Sequence, residues 1–73
     1  MDRSESVLAQ AQGHVREGEE RVARQATLVE ELERAGRERA SEEARKLLAS
    51  FEKTLEVARQ HLATERKARG MDS

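Results

Sequence analysis

The chain has 73 residues, which allows one small domain, and it contains no Cys, so disulfides and thiol redox chemistry are excluded. Charged residues make up 40% of it, with 14 Lys and Arg against 15 Asp and Glu. The resulting net charge of −1 gives no general attraction to nucleic acid or to an anionic membrane surface.

A first helix is predicted over residues 6–35, approximately, because apolar side chains recur there at helical spacing. In a heptad numbering that places Leu8 at a, positions a, d and g form one stripe. The stripe weakens at Gly18 and Gln25. Its large apolar members are Val7, Leu8, Val15, Val22, Leu28, Val29 and Leu32.

The stretch ERAGRERASEEA interrupts this pattern and predicts a turn over residues 36–41. Gly36 can adopt the left-handed conformation that ends a helix. Ser41 is a good N-cap for a following helix, and Glu42 and Glu43 then lie in its first turn, where the helix dipole favours anions.

A second helix is predicted over residues 42–68, approximately, with both chain termini frayed. If the heptad numbering of the first helix is continued through Gly36, its a positions fall five residues away from those of the second stripe. Discontinuities in coiled coils usually shift the heptad numbering by three or four residues. The chain must therefore reverse to bring both stripes to one core. The second stripe contains Leu47, Leu48, Phe51, Leu55 and Leu62, and Val57 lies outside it as a candidate second contact point.

The predicted fold is all-α: an antiparallel two-helix hairpin, coiled-coil-like, that pairs with a second copy into a homodimeric four-helix bundle. Two helices bury only one narrow seam, and small scaffolds without disulfides commonly oligomerise. The wide a/d/g stripe also suits more than two helices. The predicted self-association core is Leu8, Val15, Val22, Leu28, Val29, Leu32, Leu47, Leu48, Phe51, Leu55 and Leu62.

Two positions in the first stripe allow two interpretations each. Gly18 either lets a neighbouring helix approach closely or weakens the helix, since a mid-helix Gly costs ~1 kcal/mol relative to Ala; we favour weakness. Gln25 either lies in a partly solvated layer or makes a register-setting hydrogen bond across the dimer.

Interleaved charges predict stabilising pairs on the surface of each helix. Acid-first pairs at i,i+4 contribute ~0.2–0.5 kcal/mol each. The pairs with this spacing are Glu17–Arg21, Glu20–Arg24, Glu30–Arg34, Glu42–Lys46 and Glu65–Arg69.

The two histidines are expected to lie close together at the open end of the hairpin. With the turn centred on residues 38 and 39, His14 lies near Ala63 and His61 near Arg16. Imidazoles and carboxylates together could hold a divalent metal, but helical sites normally carry His pairs at i,i+4 or Glu-x-x-His, and neither motif is present. We expect no metal and a surface or interfacial role for both. The only metal candidates are His14, His61, Glu17 and Glu65.

Other chemistry has little support in the sequence. No Ser–His–acid arrangement or glycine-rich phosphate loop is present, so we expect no catalytic residue, no cofactor and no enzyme activity. The basic residues near position 67 complement a helix C-terminus, and without aromatic stacking they predict no nucleic-acid binding. No membrane span or signal peptide is evident, so we expect a cytoplasmic location.

Residues 14–62 resemble a group of short uncharacterised helical-hairpin proteins of soil-dwelling α-proteobacteria. The shared pattern falls on His14, Gly18, Glu19, Arg21, Gln25, Leu32, Gly36, Ala44, Leu47, Leu48, Phe51 and Glu52. The turn departs from it, with Arg37-Glu38 where His-Asp is usual. The resemblance implies a stand-alone small bacterial protein rather than a fragment of an enzyme, and it implies no activity.

The function predicted from these observations is a non-enzymatic helical module that forms a homodimer and binds a further protein through an exposed helical face. The alternative is a small ligand- or metal-responsive regulator that uses the His14/His61 end of the hairpin.

Overall fold

The computed structural model describes residues 3–70, with side chains from residue 7 onward. Helix α1 (Arg3–Arg34) and helix α2 (Glu38–Ala68) pack against each other along their length, in a molecule of 51 × 21 × 16 Å. The predicted all-α hairpin is confirmed. Helix α1 begins three residues earlier than predicted, and the predicted fraying of residues 1–2 and 71–73 lies outside the described residues.

The turn between the helices is built around Gly36, as predicted. Gly36 has a φ of 72°, which places it in the left-handed region. Its amide donates to the Glu33 carbonyl, and the Arg37 amide donates to the Leu32 carbonyl, each at 3.0 Å. This pair of bonds is the Schellman arrangement, which satisfies the last carbonyls of a helix and stops it.

The predicted N-cap at Ser41 is wrong, because α2 begins at Glu38, one turn earlier. Residues 38–40 are good helix formers, and Glu38 provides the acidic first turn that the helix dipole favours. Ser41 is 2% exposed, and its hydroxyl donates to the Glu38 carbonyl at 2.9 Å. A serine inside a helix commonly satisfies its hydroxyl in this way.

The short connection, Ala35–Arg37, also changes the predicted alignment of the two helices. Because α2 starts earlier, each residue of α1 lies opposite a residue of α2 about one helical turn away from the one expected. A Cβ built on Gly18 would lie 3.0–3.7 Å from atoms of Leu55, and the Arg21 guanidinium lies over the Phe51 ring. The expected pairing of His14 with Ala63 and of His61 with Arg16 is therefore displaced.

The core of a single hairpin is small and contains few large side chains. Ala11, Val29, Ala44 and Leu55 are its buried apolar residues. Most other members of the predicted core are half-buried, namely Leu8, Val15, Val22, Leu32, Leu48, Phe51 and Leu62. Leu28 and Leu47 are instead exposed, at 42% and 47%.

Gly18 marks a close approach between the helices, which supports the less favoured of its two interpretations; the cost of a glycine within the helix stays a prediction. A Cβ at this position would meet Leu55 Cδ1 at 3.0 Å, closer than ordinary van der Waals contact. The missing side chain lets Leu55 pack directly against the α1 backbone. Gly13, which has no heavy atom within 4 Å of an added Cβ, has no such packing role.

Gln25 makes its hydrogen bond within the hairpin, which neither sequence interpretation anticipated. The residue is 8% exposed, and its Nε2 donates to the Ala44 carbonyl of α2 at 2.9 Å. The bond therefore fixes the position of α1 along the length of α2. A buried amide that lost this partner would carry a desolvation cost of ~1–3 kcal/mol.

Ion pairs lie both along and between the helices. Of the pairs predicted within one helix, Glu30–Arg34 is present at 3.9 Å, while Lys46 pairs with Glu43 at 3.4 Å rather than with Glu42. Two further pairs join α1 to α2 and are described below. Across residues 3–70, neither helix contains a long apolar segment that could cross a lipid bilayer.

We predict opposite effects for the same substitution at two glycines. Gly36→Ala should lower the free energy of unfolding by ~1–2 kcal/mol, because a side chain in the left-handed region is strained. Gly13→Ala, the matched control, should raise it by ~0.5–1 kcal/mol, because Ala is favoured within helices and this site has free space. Urea denaturation followed by circular dichroism measures both; equal effects would contradict the proposed role of Gly36.

We also predict that Gln25→Ala lowers the free energy of unfolding by ~1–2 kcal/mol, because it removes the bond to Ala44 and leaves a small cavity. The matched control is Gln60→Ala on α2, whose exposed side chain donates a hydrogen bond to Glu56 on the same helix. That change should stay within ~0.5 kcal/mol. The same denaturation measurement gives the free energy of unfolding of both variants. A Gln25→Ala effect no larger than the Gln60→Ala effect would contradict a structural role for the interhelical bond.

Candidate interaction surface

One side of the hairpin is closed by interhelical ion pairs. Arg59 Nη2 lies 3.3 Å from Glu19 Oε2, and Arg45 pairs with Glu33 at the turn end. All of these residues occupy heptad position e, which flanks the core on one side in an antiparallel pair of helices. We call this side, defined by Glu19, Glu33, Arg45 and Arg59, the charged flank. Each side chain there remains about half exposed, so each pair contributes ~0.2–1 kcal/mol.

The opposite side of the core, formed by heptad positions g and c, has a different character. Among the described side chains, the exposed large hydrophobic residues are Val7, Leu28, Leu47 and Val57, and all of them lie on this side. We call it the apolar flank, defined by those residues. Scattered exposed apolar residues are normal on a protein surface, so the distinctive feature is that all four lie on one flank.

Leu28 and Leu47 form the most prominent feature of the apolar flank. Because Gly18 lies against Leu55, the antiparallel alignment places Leu28 and Leu47 at nearly the same height on their respective helices. Both are more than 40% exposed. They form an exposed apolar pair near the turn end of the molecule.

The apolar flank also contains a groove of about 360 Å³, nearer the open end of the hairpin. Its floor consists of Gly18, Leu55 and Ala58, which are buried or half-buried. Leu55 packs against the α1 backbone at Gly18, so this part of the floor is formed by both helices. The exposed residues that line the groove are His14, Glu17, Arg21, Thr54, Val57 and His61. We call it the His14–His61 groove.

Arg21 is held in place at one wall of this groove. Its guanidinium carbon lies 5.6 Å from the centroid of the Phe51 ring, which is within the range of a cation–π interaction. Such a contact contributes ~0.5–1 kcal/mol at an exposed site. Arg21 therefore covers the half-buried aromatic ring and also presents positive charge to the groove.

The histidines predicted to be neighbours do line the same groove, together with Glu17. Glu65, the other predicted metal candidate, is not among its lining residues. Within residues 3–70, no group of three or more His, Asp or Glu side chains is placed so that it could hold a metal ion. The groove is therefore best described as an apolar-floored recess with imidazole and guanidinium groups at its walls.

The charged flank and the contact between Arg21 and Phe51 are not among the features predicted from the sequence. The heptad numbering contained a signal for the first of these. Position e of α1 includes Glu19 and Glu33, whereas position e of α2 includes Arg45 and Arg59. Complementary charge at facing e positions favours an antiparallel pairing on that side.

Comparison with known proteins gives no further guide to the surface. No family model, no curated protein and no solved structure matches this chain.

Proposed function

We propose that this protein is a non-enzymatic helical module whose principal activity is self-association, with a second copy covering the apolar flank to form a homodimeric four-helix bundle. The observation that carries the proposal is the difference between the two flanks. The four residues of the charged flank pair with each other within one chain, while Leu28 and Leu47 on the apolar flank remain 42% and 47% exposed.

The small core of one hairpin supports the same conclusion. Of the four buried apolar residues among the described side chains, two are Ala, so this part of the chain buries little large apolar surface. Small domains of this size commonly need oligomerisation, a metal or disulfides in order to be stable. This chain has no cysteine to form a disulfide. A second copy would supply the missing apolar contacts.

Electrostatics also favour a second copy as the partner. The net charge of −1 means that two chains repel each other weakly. At heptad position g, next to the core, Arg21 is the one Lys, Arg, Asp or Glu among the described side chains, while charges of both signs lie further out at position c. A second copy that covers the g positions therefore removes few charges from water. A further protein partner remains compatible with the exposed outer faces of the bundle.

We expect Leu28→Glu and Leu47→Glu each to disrupt the dimer. Less than half of each Leu is still exposed in one chain, so its burial in the dimer contributes ~1 kcal/mol. Each substitution occurs twice per dimer, so the Kd should rise ~10–100-fold. Analytical ultracentrifugation over a concentration series measures this directly.

The matched controls for these variants are Ala23→Glu and Ala49→Glu, which add the same charge on the far side of each helix, where both residues are exposed. They should leave the Kd within a few-fold of the original. A wild-type chain that sediments as a folded monomer at micromolar concentration would contradict the proposal. So would equal effects of the Leu and Ala substitutions.

A second candidate function is a small ligand- or metal-responsive regulator. The observation that favours it is the His14–His61 groove, since both imidazoles and the Glu17 carboxylate line one recess. Its volume of about 360 Å³ is at the lower end of the range for small-molecule pockets, ~300–1,000 Å³.

Thermal melts with Zn²⁺ or EDTA distinguish the two functions. Self-association predicts that Zn²⁺ leaves the melting temperature unchanged, both in the wild type and in the His14→Ala/His61→Ala variant. The regulator predicts a rise with Zn²⁺ that this double variant loses. Gln60→Ala, which changes the exposed neighbour of His61, is the matched control and should keep any rise.

A further inference from the structure

We draw no further inference here: the strongest candidate, the His14–His61 groove on the apolar flank, belongs to the surface already described, and nothing in the structure shows what covers it.

Discussion

The left-handed conformation of Gly36 is the constraint on which the rest of the structure depends. It allows the Arg37 amide to reach the Leu32 carbonyl, so that α1 stops and α2 starts after three connecting residues. So short a connection sets both the height and the rotation of α2. One additional residue before the same contacts would rotate the helix by about 100° and carry Leu55 away from Gly18.

The same alignment places a small residue and a polar residue at the interface between the helices. Gly18 brings the two helices close together near the open half, and Gln25 then reaches the Ala44 carbonyl directly. Close approach makes the pairing specific, since a slip of either helix would separate the amide from its acceptor. It also limits the apolar area that one chain buries, because Ala and Gly supply little of it. Specific pairing and a small core therefore have the same origin.

The two flanks of the hairpin differ in which residues the small core leaves exposed. On the charged flank, Glu19 and Glu33 find partners on α2 and remain hydrated, so nothing there requires a second chain. On the apolar flank, the exposed side chains of Leu28 and Leu47 and the groove next to Arg21 leave apolar area in contact with water. This exposed apolar area is confined to one side of the hairpin, as the proposed closed dimer requires.

The sequence by itself determined the two helices and the reversal between them. Heptad spacing identified the stripes, and Gly36 identified the end of α1, because both signals depend only on local geometry. Local signals could not decide where α2 begins, since residues 38–40 suit a helix as well as a turn, and Ser41 suits both a cap and a helix interior. That choice, and with it the height at which Gly18, Gln25 and the histidines lie, depended on contacts between the helices. Only the tertiary structure decided those contacts, because they join residues far apart in the chain and are set by how closely two backbones can approach.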